Sequence, residues 1–312
     1  MKNKRRKDKK KAGIIHLAWY LIIIGTVLSA AYVIIQITLK HNAQSRAFDE
    51  LDAKVQLQVM MLDEIVNREY THLRVLNSIL EFSNEKVEKE QFDRVWELMK
   101  EEEQITMLGI SDLSGNVVNW NGERLEEISR KKDFKEILSE AQTNRDGRCV
   151  LLENTESFEK SELLYIVPLY IKGEVKGVLF KSKMISSVED TLVDDINFDG
   201  NASMFLVDTS GKILLVGDKQ DRCLLSNHLF QGESNFIFTD EQKKELKNNL
   251  RNGKSGKMIF KERDQTKYAV YMPSGVGDWT IFSMVDEKAA ALKYEKNDSV
   301  VEGGMLIILI LF

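Results

Sequence analysis

The chain has 312 residues, 43% of them hydrophobic and 30% charged, with a formal net charge of −5. That length and apolar share are ample for one large or two small hydrophobic cores. Eight Lys or Arg among the first eleven residues, against Asp8, give the tail a formal +7 and leave −12 for the rest; so acidic a body argues against a nucleic-acid partner, because phosphate binding needs a basic face.

From Ala12 to Leu39 there is no Asp, Glu, Lys or Arg. A bilayer core of about 30 Å is crossed by about 20 apolar helical residues, and this run exceeds that. The apolar part of a cleaved signal peptide is shorter, about 7–15 residues, so a membrane anchor is the better reading. A basic cluster abutting a span stays in the cytoplasm and touches anionic lipid. A second apolar run begins at Gly303 and continues to Phe312. The two runs predict a two-span cell-membrane protein. Residues 1–12 are a cytoplasmic tail, 13–39 the first transmembrane helix, and 303–312 the start of the second. Residues 40–298 are extracytoplasmic, and an output region is expected beyond the second span.

The segment 40–103 reads as stalk helices. From Ala43 to about Ser83 apolar residues recur at Phe48, Leu51, Val55, Val59, Leu62, Ile65, Val66, Leu73, Leu76 and Leu80. Steps of three, four and seven place them on one helical face. That stripe can cover the chain's own domain or form a seam with a second copy. A shorter helix, from about Val87 to Glu102, carries Phe92, Val95, Trp96 and Met99 on one side.

Beyond Glu103 the pattern changes to short strands and turns. In the segment 104–192, strand-like residues 104–111 and 116–120 flank Asp112-Leu113-Ser114-Gly115, a hairpin turn by composition. A helix from about Ser129 to Gln142 follows, then strand-like runs over 148–154, 163–171 and 174–183. The segment 193–298 repeats this order. Residues 203–207 and 212–216 flank Asp208-Thr209-Ser210-Gly211, a helix is expected over 240–251, and runs over 257–263, 268–272 and 279–285 close the unit. The chain's two prolines, Pro168 and Pro273, fall near the end of the fourth strand of each unit. A duplicated unit accounts for both coincidences. The fold class is therefore α+β: a long N-terminal stalk helix, then two units, each an antiparallel five-stranded sheet with a covering helix.

Little else in the sequence carries chemistry. Four histidines (His16, His41, His72, His228) have no metal-ligand spacing, and Gly253-Lys254-Ser255-Gly256-Lys257 lacks the spacing of a phosphate loop. The acidic cluster Asp194, Asp195, Asp199 with Asn197 lacks calcium-loop spacing. No catalytic residue, metal or cofactor is assigned. Cys149 and Cys223 are too few for a disulfide framework; two separate buried thiols are favoured over one bridge.

With these elements in place the chain resembles the double Cache, or extracellular PAS-like, sensory domains of bacterial receptors over about Lys40 to Asp298. The marks are the stalk helix, the two Asp-x-x-Gly hairpins, the stretch Ile128 to Ile137, and the closing Gly277-Asp278-Trp279-Thr280-Ile281-Phe282-Ser283-Met284-Val285. The resemblance implies a homodimer that senses a small molecule through its membrane-distal unit (104–192), with the membrane-proximal unit (193–298) relaying the change. It implies a cytoplasmic output: a diguanylate cyclase first, a histidine kinase next, a chemotaxis signalling domain third. Many relatives have Arg-x-Tyr-Phe at the start of the distal helix. Here Lys131, Lys132, Asp133 and Phe134 stand in those places, Lys for Arg and Asp for Tyr. In the family layout Trp120, Arg130 and Tyr165 face this helix, so Trp120, Arg130, Lys131, Asp133, Phe134 and Tyr165 are the candidate ligand-binding residues. Plain core packing explains Trp120 and Tyr165 equally well, and a solvated helix start explains the charged three. A membrane-anchored scaffold without a small-molecule ligand is the alternative.

Overall fold

The computed structural model describes residues 2–81, 89–102, 105–122, 134–143, 145–152, 161–193, 202–217, 228–230 and 236–294. Arg130, Lys131, Asp133, the acidic cluster at 194–199, Cys223 and the second apolar run lie outside them. The chain forms two compact units, Glu50–Asp286 and the residues on either side of it.

A single helix, α1, runs Lys2–Glu81, where the sequence separates tail, span and stalk. No proline interrupts it, and an isolated glycine such as Gly25 weakens a helix by only about 1 kcal/mol. Its most apolar stretch has a mean hydropathy of 2.2 and is unburied; among the described residues this is the one helix long and apolar enough to cross a membrane. In the flanking unit, residues 287–294 are helical and dock on α1. Lys40 pairs with Glu287 at 2.9 Å, and the Tyr294 hydroxyl donates to the Arg46 carbonyl at 3.4 Å.

The larger unit holds two sheets. The first module contains α2 (Lys89–Glu102), β1 (Ile105–Asp112), β2 (Val117–Asn121), α3 (Phe134–Ala141), β3 (Arg148–Leu152), β4 (Glu162–Ile171), β5 (Glu174–Met184) and α4 (Ser186–Val193). The second contains β6 (Ala202–Asp208), β7 (Ile213–Val216), β8 (Phe236–Ile237), α5 (Asp240–Arg251), β9 (Gly256–Glu262), β10 (Gln265–Pro273) and β11 (Trp279–Asp286). The first sheet has the order β2-β1-β5-β4-β3 and the second β7-β6-β11-β10-β9-β8, antiparallel throughout. The five-strand order is the same in both, and the two-residue β8 adds an edge to the second.

The turns repeat as well. Asp112 Oδ1 accepts from the Ser114 and Asn116 amides at 2.8 and 2.9 Å, and Asp208 Oδ1 accepts from the Ser210 and Lys212 amides at 2.8 and 2.9 Å. Gly115 and Gly211 both hold positive φ, +76° and +92°, the left-handed conformation that glycine adopts without strain.

On α1 the buried positions include Leu51, Val55, Gln58, Leu62, Ile65, Val66, Glu69, Tyr70, Leu73, Leu76, Asn77 and Leu80. Polar contacts fix this face along both modules. Asp52 pairs with Lys257 at 3.5 Å and Asp63 accepts from the Gly275 amide at 3.0 Å. Arg74 donates to the Asp146 carbonyl at 2.8 Å, and Asn77 accepts from the Tyr170 amide at 3.2 Å, next to a register shift in β4.

The second module's core lies between its sheet and α5. It is dominated by rings: Phe282 stacks on Phe205 and on Tyr271, each at 5.0 Å, with Phe236 and Phe260 alongside. The start of α5 carries a full capping box, Thr239 and Gln242 each bonding the other's backbone amide. Thr239→Ala is expected to cost about 1 kcal/mol of stability, read as a lower urea midpoint with an unchanged slope.

Candidate functional site

The first sheet has two different faces because successive strand residues point opposite ways. The face under α3 carries Met107, Leu164, Ile166, Val178 and Phe180, closed by Phe134, Leu138 and Ala141. Phe134 meets Phe180 edge to face, centroids 5.9 Å apart. The Phe180 ring lies across Gly109, where a Cβ would come within 2.2 Å of it. Phe134, a candidate ligand residue, is thus a buried part of this floor.

A polar cluster interrupts this apolar face. The β1–β5 register shifts between Ile105 and Met107, and Thr106 at that shift reaches across the sheet. The Glu162 carboxylate accepts from the Thr106 hydroxyl at 2.8 Å and the Ser182 hydroxyl at 2.7 Å, through the same Oε2. The two hydroxyls are themselves 2.7 Å apart. Glu162 is 1% exposed; a buried carboxylate is held only where polar partners replace its water.

Trp120 stands on the same face. It lies opposite Gly109 in the β1–β2 register, and Gly109 lies opposite Phe180. Its side chain is 45% exposed, an aromatic surface at the rim rather than a core filler. The next residue, Asn121, donates to Asp93 of α2 at 2.9 Å.

Tyr165 is not in this group. It lies opposite Cys149 and Lys181 in the sheet register, alternating with Leu164 and Ile166, and so faces α1. Its hydroxyl is buried without a hydrogen-bond partner among the described residues. Burial, then the neighbouring Cys149, Glu69 and Tyr70, pushes its phenol well above the usual range. The structure separates Tyr165 from Trp120 by the thickness of the sheet. Cys149, on the same face, is a buried free thiol whose pKa burial also raises.

The α1 face of β5 holds charge that the sequence reading missed. Glu69 pairs with Lys181 at 2.6 Å and Lys183 at 2.9 Å. Lys181 is 0% exposed and Glu69 1%. The signal was present: Glu69 falls in the apolar stripe of α1, and Lys181 and Lys183 alternate along an otherwise apolar strand.

No family model and no curated protein matches the chain. Solved structures do. The sensory domain of the Campylobacter jejuni chemoreceptor Tlp3 (CcmL) is similar at 12% identity and a TM-score of 0.59, covering 81% of this chain and 98% of that one. The ligand-binding domain of the Pseudomonas aeruginosa PAO1 amino acid chemoreceptor PctB, in complex with L-Arg, is similar at 16% identity and a TM-score of 0.57, covering 78% and 96%. The ligand-binding domain of Mlp24 with asparagine is similar at 14% and 0.57, covering 82% and 99%. The fold is therefore a two-module α+β fold. In particular, it is the double Cache fold of chemoreceptor ligand-binding domains.

Proposed function

We propose that this chain is the extracytoplasmic ligand-sensing region of a bacterial transmembrane signalling protein, with residues 1–12 in the cytoplasm and 40–298 outside. The observation that carries the reading is the α3 face of the first module: the buried Glu162 carboxylate beside Thr106 and Ser182, with the exposed Trp120 at the rim. The matching face of the second module is filled by stacked rings. A ligand pocket combines an apolar floor with a few placed polar groups, and the first module has that combination. A carboxylate there suits a ligand bearing an ammonium group, with Trp120 covering its apolar part. Similar domains have been solved with L-Arg, isoleucine, GABA and asparagine bound, all of which carry an amino group; this supports the same ligand class here. Arg130, Lys131 and Asp133 remain proposed contacts from the following segment.

Binding biases signalling only to the extent that the ligand prefers one of two conformations. The fold's neighbours are chemoreceptor domains, which gives a chemotaxis output a support that the cyclase and kinase readings lack. A homodimer is part of the proposal: Leu57, Met60, Val75 and Ile79 are exposed on α1 and fall within about 100° of one another at 3.6 residues per turn.

A thermal-shift screen of the full chain in detergent against amino acids and amines tests the reading. Only a ligand that prefers the folded state raises the melting temperature. A hit is expected that weakens at least about tenfold in Glu162→Gln, the loss of one charge-assisted hydrogen bond, and in Trp120→Ala. A hit indifferent to both changes, or none from a folded protein, returns the weight to a scaffold without a small ligand.

A further inference from the structure

The last strand of the second module ends in a buried ion cluster. Lys267 of β10 places its ammonium 2.8 Å from the Asp286 carboxylate and 3.1 Å from that of Glu262. Lys267 stands opposite Asp286 in the β10–β11 register, and Glu262 closes β9 on the other side. Three neighbouring strands thus meet on one cation. Lys267 is 9% exposed and is the one buried Lys or Arg of this module among the described residues. Burial lowers the pKa of its ammonium, but Asp286 and Glu262 outweigh it and hold the group above its ordinary 10.5, so the charge is present at any physiological pH.

Two observations set this cluster apart from ordinary packing. The first is its place in the repeat. Pro168 lies opposite Val178 and Pro273 opposite Thr280; the same count back along each strand reaches Glu162, opposite Met184, and Lys267, opposite Asp286. Both stand on the helix-covered face, Lys267 in step with Ala269 and Tyr271 of the ring core. The duplicated position therefore bears opposite charge in the two modules, and in the second it is answered by carboxylates on both flanking strands. The second observation is what Asp286 depends on. Its Oδ1 is buried, and the Lys267 ammonium is its one cationic partner among the described residues.

Stability alone does not call for such a group, since apolar side chains of similar size often replace a buried ion cluster at no net cost. The charges instead fix which atoms of the three strands meet. Asp286 is the last residue of β11, and the chain continues from it into the helical residues 287–294, in the direction of the second apolar run. Any displacement that β11 passes on along the chain leaves through this residue. We propose that Lys267 is a conformational clamp, its ammonium pinning the end of β11 to β10 and β9 so that this end moves with the sheet instead of fraying. Local opening costs least where structure ends, and a frayed end loses the displacement it should relay. The inference rests on the chain order and on this cluster, and does not depend on what the α3 face of the first module holds.

Hydrogen exchange of the full chain in detergent micelles tests the clamp. In Lys267→Met the amides of residues 284–290 are expected to exchange at least about tenfold faster than in the unaltered protein, the effect of losing a charge-assisted contact on local opening. Those of β4 and β9 are expected to keep their rates. Asp286→Asn is expected to repeat the local loss, and it carries the test if Lys267→Met does not fold. Lys267→Arg keeps the charge and the reach, and is expected to keep the protection. An unchanged rate at 284–290 in the folded variants overturns the proposal, because sheet hydrogen bonds alone then hold the end. So does faster exchange throughout the second module, which is the mark of a merely structural role. Protection lost equally in Lys267→Arg and Lys267→Met overturns it as well, since the lysine's packing and not its charge is then what holds β11.

Discussion

Replacing Glu69 by alanine is expected to lower the unfolding free energy of the larger unit by about 3–5 kcal/mol, the cost of breaking a buried ion cluster. Lys181 is fully buried and Lys183 nearly so, and both place their ammonium groups on this one carboxylate. Without it both cations lose their shared carboxylate in the contact between α1 and β5. The triple change of Glu69, Lys181 and Lys183 to methionine is expected to recover most of the loss, because apolar groups of similar size often replace a buried ion cluster at no net cost. Urea denaturation of both proteins checks this; a triple variant as unstable as Glu69→Ala would show that packing rather than charge is at issue.

The same cluster sets a pH dependence. Burial raises the Glu69 carboxyl, but hydrogen bonds and charge from Lys181, then Lys183, outweigh it and hold the group below its ordinary 4.5. A folded pKa below the unfolded one gives stability that is fully present above the unfolded value and lost as pH falls through the folded value. Stability is therefore expected to decline below about pH 4.5, and Glu69→Gln should remove part of that slope. An identical slope in the variant would assign acid sensitivity to other groups.

Phe282→Ala is expected to cost about 3–5 kcal/mol through a cavity at the centre of the second module. Phe282 is buried between Phe205 and Tyr271, both stacked on it, and α5 closes the cluster through Leu246 and Leu250. Phe282→Leu keeps much of the volume and should lose about half as much or less. A loss below about 1 kcal/mol for the alanine variant would mean that this core re-forms around the gap.

The fold was legible because its signals are local and periodic. The Asp-x-Ser-Gly turns announced themselves twice, and each forms the same hydrogen bonds. The limits of α5, Asp240–Arg251, follow from the Thr239 cap and the glycine turn at Gly253. The stripe of α1 was readable except where polar residues occupy it: Gln58 is buried in place of the half-buried Val59, and Glu69 sits where an apolar residue was expected. α4 was missed because eight residues give barely two turns of periodicity.

The candidate site was less legible, for reasons of register. Tyr165 and Leu164 are adjacent in sequence and face opposite sides of the sheet, and only the strand's phase decides which side faces α3. Glu162 was passed over because a charged residue at the start of a strand reads as solvated. Its burial depends on Thr106 and Ser182, 56 and 20 residues away, and no local pattern announces that meeting.

Strand β5 gives these contacts a mechanical meaning. Ser182 takes part in the polar cluster on the α3 side, while its neighbours Lys181 and Lys183 grip Glu69 of α1 on the other. A push that shifts Ser182 arrives at the helix one residue away, with no loop in between to take up slack. On the proposed reading the path from ligand to helix is one strand thick, and its stiffness is that of a central strand hydrogen-bonded on both edges.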